Sequence, residues 1–420
     1  MSKRFVYYNA GIAGFRPFII EVNSGADSQY TIPTGLGTFD YSAIISDGQI
    51  FTNLTGNKTI IFPDADTNYT IEISGLFPHF NQANNSERLK FLDVIQYGDI
   101  VWQDWYRMFD SCENLNVSAT DSPNMINVVR SSFAFRNCIS MVECGDIDMV
   151  NVEDGYQMFK SCNVFNPTNF SPTLDVLTDG YQMFKSCNVF NPTNFSPTLD
   201  VLTNGHQMFR DCQAFNPTNF SPILDVLTTG DFMFYNCPAF NPTNFSPTLA
   251  MLTNGDLMFY NCPAFNPTNF SPTLAMLTNG YFMFYNCQAF NPTNFSPTLD
   301  VLTDGDLMFY NCQAFNPTNF SPILDVLTTG NMMFNNCNVF NPTNFSPTLD
   351  VLTTGNRMFY NCTLSTAIYS QILINTESGN SNSNVPFHGG NSQYNALGQT
   401  ARTDLVNNQT WTITDGGFEP

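Results

Sequence analysis

From Gly155 onward the chain repeats one arrangement of apolar and polar positions every 25 residues. In the copy beginning at Gly180 the apolar places are Met183, Phe184, Cys187, Phe190, Phe195, Leu199, Val201 and Leu202, with Asn, Thr, Ser and Pro between them. The unit restarts at Gly205, Gly230, Gly255, Gly280, Gly305 and Gly330, giving eight full copies through Thr354, and a ninth opens at Gly355. A Phe-x-x-Cys pair marks every turn from Phe159/Cys162 to Phe359/Cys362, after two degenerate turns at Phe109/Cys112 and Phe135/Cys138. A unit this short cannot bury its own apolar face, so neighbouring coils must stack and share one core.

Within the unit, the Asn191-Pro192 step favours extended backbone, and Pro192 cannot donate to a ladder. The paired strand is therefore expected to be short, Thr193 to Phe195, with Gly180 to Cys187 as a helical or 3₁₀ turn and Ser196-Pro197 turning the chain between them. The first 87 residues do not repeat. Phe18–Val22, Ile60–Phe62 and Tyr69–Ile73 read as strands, the last by strict alternation, and together they predict a small β-sandwich. Arg88 to Gly98 is expected to open the repeat array and cover its first edge. Beyond Cys362 the pattern decays into a polar loop at Glu377–Asn384, with a helix at Ala396–Val406 and a strand at Thr410–Thr414 capping the far end. The expected organisation is an anchoring sandwich at 1–87, degenerate capping repeats at 88–154, a regular solenoid at 155–362 and a C-terminal cap at 363–420. The fold class is α/β to mainly β.

The string Met183-Phe184-Lys185-Ser186-Cys187-Asn188-Val189-Phe190-Asn191 and the step Leu202-Thr203-Asn204 resemble the 25-residue surface repeat of mycoplasma lipoproteins and the related BspA-like leucine-rich repeats. Two departures are plain: Phe195-Ser196-Pro197 stands where that family places its Trp region, and Gly205 replaces its second Met. The resemblance covers Phe91 to Cys362 and implies a right-handed leucine-rich-repeat solenoid, found on cell-surface adhesins and phage virion proteins, with no chemistry of its own. The N-terminal region resembles PKD-like immunoglobulin-type modules in part, with Ile45-Ser46-Asp47-Gly48 where such modules carry Trp-Gly-Asp-Gly.

Charge narrows the partners. Only 12% of residues are charged, and 14 Lys+Arg face 35 Asp+Glu for a net of −21. Between Arg210 and Arg357 no basic residue occurs. Nucleic-acid binding needs a basic stripe that releases counterions, and an anionic membrane repels the same surface, so both are excluded as partners. The start, MSKRFVYYNAGIAGF, has no apolar run of signal-peptide length, and no stretch reaches the ~20 apolar residues of a membrane span.

Candidate chemistry is sparse, and neither a catalytic set nor a cofactor site is expected. Eleven of the twelve Cys share one position per turn, and parallel side chains in such a column disfavour disulfides; they read as buried free thiols. Cys144 lies outside the column and is the candidate for reactivity. The Asp column (Asp175, Asp200, Asp225, then Ala250 and Ala275, then Asp300, Asp325 and Asp350) reads as a solvated face, with Asp175, Asp200 and Asp225 as weak calcium candidates. His79, His206 and His388 read as ordinary surface or loop residues. The unchanging Asn191, Thr193, Asn194 and Ser196 columns are expected to bond neighbouring backbone. Variation concentrates just after each Gly and after the fixed Phe, at Tyr181, His206, Phe232, Tyr235, Tyr260, Tyr281, Phe282, Tyr285 and Tyr310. Variable aromatic residues on a fixed scaffold predict a binding ridge offering stacking surface to sugars or protein.

These features point to a non-enzymatic attachment or display protein. The expected carrier is a phage virion, as a tail fibre, receptor-binding or decoration protein, meeting a host-surface glycan or protein through its solenoid and other virion proteins through its N-terminal domain, with homo-oligomerisation open. A secreted bacterial adhesin is the alternative; a polysaccharide depolymerase or an ice-binding protein ranks below both.

Overall fold

The computed structural model describes residues 15–82 and 86–420; the reading of the N-terminal segment for a signal lies outside the described residues. The chain divides into two compact units, Met1–Thr198 and Leu199–Pro420.

The first unit opens with strands β1 (Phe18–Asn23), β2 (Gln29–Ile32), β3 (Asp40–Ile45), β4 (Ile50–Leu54), β5 (Lys58–Ile61) and β6 (Asn68–Leu76), followed by β7 (Phe91–Gln96) and β8 (Asn116–Val117). One sheet has the order β4-β3-β6-β1-β7-β8, and a second pairs β2 with β5. Strands β1, β3 and β6 alternate buried and half-buried positions over most of their length, as strands with one face on a core must. Strand β7 runs antiparallel to β1 and parallel to β8. It belongs to the N-terminal sheet and also begins the parallel stacking of coils. Trp102, Trp105, Phe80 and Phe91, all fully buried, fill the space beneath that join.

In the second unit three columns of phenylalanine form the core. Phe209, Phe234, Phe259, Phe284, Phe309, Phe334 and Phe359 stack at 5.4–5.5 Å with near-parallel rings. Columns through Phe265 and Phe270 run beside it, and every ring in the three is fully buried. The unit ends in helix α1 (Thr366–Gly379), β9 (Pro386–His388), helix α2 (Ala396–Asn407) and β10 (Thr412–Thr414). β9 takes the place of the next coil: Gly355 and Phe359 donate to Pro386 and His388 as earlier coils donate to their successors. The expected helix at Ala396–Val406 and the strand near Thr412 are present; α1, 14 residues long, lies where the decaying pattern predicted no element, and it takes in Glu377, Ser378 and Gly379 of the expected loop. Among the described residues no helix is long and apolar enough to cross a membrane.

Two local expectations are corrected. Thr193-Asn194 is a turn, not a strand; the bridges between coils fall on the residue before each Gly, as in Asn254↔Asn279 and Asn279↔Asp304. The Gly-to-Cys segment is not helical. In the coil at Gly255, alternate amides donate to the next coil (Gly255 to Asn279 O, Leu257 to Tyr281 O, Phe259 to Met283 O, Asn261 to Tyr285 O, at 2.8–3.0 Å), while Met258 and Tyr260 donate back three residues within their own coil. An α-helix over this segment would turn the Phe259 and Asn261 amides back onto their own coil. Positive φ at Leu257 (52°) and Asn261 (57°) turns every second amide outward. Asn, Asp and Ser occupy the second of these positions in successive coils, and Asn and Asp tolerate left-handed backbone best.

Candidate functional site

The segment that carries the inter-coil ladder also carries the variable residues, so its side chains are held at coil spacing. Tyr235, Tyr260, Tyr285 and Tyr310 form a continuous row, with ring centroids 4.7–4.8 Å apart and planes within 6° of parallel. Arg210 closes one end, its guanidinium 4.6 Å from the Tyr235 centroid and 5.3 Å from Phe232, a cation–π contact. Phe232 and Phe282 lean on the row at 5.6 and 5.1 Å from Tyr235 and Tyr285, and Tyr281 meets Phe282 edge-on at 4.2 Å. These ridge residues therefore come together in the second unit. Tyr181 lies in the first unit and stacks on Tyr156 at 4.6 Å.

The geometry distinguishes two kinds of ring on this ridge. Face-to-face stacking covers the π-faces inside the Tyr235–Tyr310 row, which presents ring edges and phenol hydroxyls, whereas Phe232, Tyr281 and Phe282 make only tilted or edge contacts. Burial and the neighbouring phenols push the Tyr260 and Tyr285 hydroxyls above their usual range, so they stay protonated donors. Ring spacing widens from the tyrosine row, through 5.4 Å in the Phe259 column, to 5.6–6.1 Å in the Phe245–Phe345 column. Planes tilted by 5–6° per coil open by about 1 Å across a layer about 10 Å thick, which matches. The coils of this unit fan apart away from the tyrosines, and the row lies on the inside of the curve.

Beside the row stand Asp231, Asp256 and Asp306. His206 Nδ1 lies 2.6 Å from Asp231 Oδ2, and its Nε2 lies 2.9 Å from the Gln207 amide nitrogen; this arrangement fits Nδ1–H donating to the carboxylate while Nε2 accepts. The expectation of an unpartnered surface His206 is thus corrected, and the missed signal was the period itself, since residues 25 apart are neighbours. His79 is also no surface residue. It is fully buried, with Nε2 2.8 Å from Tyr106 O and Nδ1 accepting from Leu36 N, and burial lowers its pKa. His388 sits half-buried in β9, where its Nδ1 accepts from Gly390 N. Oδ1 of Asp231 and of Asp256 is buried without a hydrogen-bond partner, and burial, with repulsion from Asp231 and Asp304, pushes the Asp256 carboxyl up to about 6.

The remaining candidates have structural roles. All twelve Cys are free and buried. Column thiols donate to the carbonyl of the Phe in the preceding coil, as Cys162 to Phe135 O, Cys237 to Phe209 O and Cys262 to Phe234 O, each at 3.0 Å. They are hydrogen-bonded as well as space-filling. Burial raises their pKa, to about 12 at Cys262. Cys144, the candidate outside the column, is equally buried and its pKa is also raised, so its environment disfavours the thiolate that reactivity needs. A thiol reagent at pH 8 is expected to find no reactive cysteine in the native chain and twelve after denaturation in guanidinium; several fast-reacting native thiols would refute this.

The Asn191 column bonds backbone as expected: Asn166 Oδ1 accepts from Asn191 N and Asn241 Oδ1 from Asn266 N, at 2.8 and 2.9 Å. A second ladder, unmarked in the sequence reading, runs Asn236, Asn261, Asn286, Asn311 through side-chain amides at 2.6–2.8 Å. Asp175, Asp200 and Asp225 are exposed, and Thr198 and Thr248 donate to Asp175 and Asp225. Among the described residues no group of three or more His, Cys, Asp or Glu is placed to hold a metal ion. A cleft of about 490 Å³ in the first unit is lined by Glu143, Asp146 and residues 167–171; Thr168 engages Glu143 and Ser122 engages Asp146, so both carboxylates tie coils together.

A family model described as a BspA-type leucine-rich repeat region matches residues 180–283 and 255–383, and one described as a Mycoplasma protein of unknown function matches residues 103–223. No curated protein and no solved structure matches the chain.

Proposed function

Because the chain belongs, through its repeat region, to the BspA-type leucine-rich repeat family, we propose that it is a non-enzymatic surface attachment protein that binds through the ridge of its second unit. The observation that carries this reading is the tyrosine row: four phenol hydroxyls on successive coils, backed by Phe232 and Phe282. Donors repeating at coil spacing suit a repetitive hydroxyl-rich partner, and a host-surface glycan is the partner we favour over a protein. In this reading the coils wind right-handed, the N-terminal strands form a β-sandwich anchor that meets other virion proteins, and the carrier is a phage tail fibre, receptor-binding or decoration protein. A secreted bacterial adhesin uses the same ridge; capsid and tail genes, or surface-sorting genes, beside the coding sequence separate the two.

The test is a glycan array read beside a reducing-sugar assay on every glycan retained. Binding without released reducing ends is expected. Replacing Tyr260 and Tyr285 by Asn, which the repeat itself places there as Asn335, is expected to weaken that binding at least tenfold while the chain keeps its native circular dichroism spectrum at the assay temperature. Cleavage of a retained glycan, or a double variant that binds unchanged, overturns the proposal.

A further inference from the structure

The Asp column of the second unit is interrupted in two consecutive coils, and the interruption is double. Where the coils at Asp225-Val226 and Asp300-Val301 carry an acid and a branched aliphatic residue, the two between carry Ala250-Met251 and Ala275-Met276. Val226 and Val301 are 39% and 38% exposed, whereas Met251 and Met276 are 48% and 47% exposed. Ile223, also exposed, stands in the adjoining column where most coils have Thr. The result is an uncharged apolar patch spanning three coil steps between Asp225 and Asp300, roughly 14–18 Å from strand-pairing spacing up to the wider spacing of the Phe245 column, with carboxylates at both ends.

We infer that this patch is a second interaction surface, separate from the tyrosine row, and that it docks a protein segment carrying apolar side chains flanked by Lys or Arg. Methionine is flexible and polarisable, and it suits surfaces that must adapt to a partner. The acids at both ends supply charge complementarity and set the register. A second copy docking through the same stretch is the wrong partner: the chain carries −21, and no Lys, Arg or His lies between Arg210 and Arg357 to answer Asp225 or Asp300. The length of the patch matches about four or five residues of extended chain.

The experiment uses the full chain and three fluorescent peptides: Lys-Leu-Leu-Leu-Leu-Lys, Lys-Ser-Ser-Ser-Ser-Lys and Glu-Leu-Leu-Leu-Leu-Glu. Anisotropy is expected to show the first binding at least tenfold more tightly than the other two. The deciding variant combines Ala250→Asp, Met251→Val, Ala275→Asp and Met276→Val, which writes into both coils the residues their neighbours already use. It adds two negative charges, so simple electrostatic attraction predicts tighter binding of the cationic peptide, whereas loss of the patch predicts at least tenfold weaker binding with an unchanged melt. Equal or tighter binding by this variant, or no preference for the first peptide, overturns the inference. The Tyr260→Asn, Tyr285→Asn variant is expected to bind the peptide as the native chain does, which separates failure here from failure of the ridge.

Discussion

Phe259→Ala is expected to lower the stability of the second unit by about 3–5 kcal/mol, the range for deleting a fully buried aromatic ring. Phe259 is fully buried between Phe234 and Phe284 at 5.4 Å, with Phe265 at 4.5 Å and Phe270 at 5.8 Å. The ring belongs to its own coil and to both neighbouring interfaces, and in a stacked array stability is the sum of coil terms and nearest-neighbour terms. One truncation therefore weakens three terms. Phe259→Leu, which refills most of the volume, is expected to cost clearly less. Urea denaturation followed by circular dichroism reads both; a midpoint unmoved by the alanine variant would mean that the aromatic columns do not hold the unit together.

The columns themselves were legible in the sequence because an apolar residue recurring at a fixed period has to face the shared core. Strands β1, β5 and β6 and helix α2 were legible for the same reason, each carrying its own apolar rhythm. Helix α1 was not. Its apolar residues Ile368, Tyr369, Ile372 and Leu373 keep helical spacing, but Ser365 makes no capping bond and the vanishing repeat draws attention to loss of pattern. What lay beyond reach was the direction of the backbone donors. The sequence at Gly255–Cys262 fits a helical turn by composition, and only the left-handed residues Leu257 and Asn261 convert it into a ladder; Leu gives no hint of positive φ.

The same gap explains the candidate site. That the variable aromatics share a surface follows from the period; that Tyr260 lies flat on Tyr235 and Tyr285 follows from the match between coil spacing and ring stacking distance, a fact of three dimensions. The His206–Asp231 pair shows the opposite case. It was readable, because a repeat of 25 places every residue beside the one 25 further on, and spacing rules built for helices and strands never test that separation. Hydrogen bonding of the cysteine column sits between these extremes: burial followed from the period, the carbonyl acceptor did not.

Asp256→Asn is expected to stabilise the chain at pH 7 and to remove a pH dependence that the native chain shows between about pH 4 and pH 6. In the folded chain burial, then Asp231 and Asp304, push the Asp256 carboxyl up to about 6 from an ordinary 3.8. The native state thus holds a proton that the unfolded chain has already released in that interval. Its contribution is fully present below about pH 4 and is lost as pH rises through 6. Each pKa unit corresponds to about 1.4 kcal/mol; Asp256 is only half-buried, so solvent screening reduces the total to about 1.5 kcal/mol. Asparagine is compatible with the position, since Asn331 and Asn356 occupy it in later coils, and Asn331 donates its own side-chain amide to Asp306. Thermal melts across pH 4–8 check the claim: the native midpoint should fall relative to the variant as pH rises through 6, and curves that stay parallel would show that the orphaned Asp256 oxygen carries no penalty. The result also bears on binding. A carboxyl that gains its charge near pH 6 beside phenol donors adds a negative charge to the ridge above that pH, so a partner engaged through Tyr260 and Tyr285 meets a different surface at pH 5 than at pH 7, and the asparagine variant should make that difference disappear.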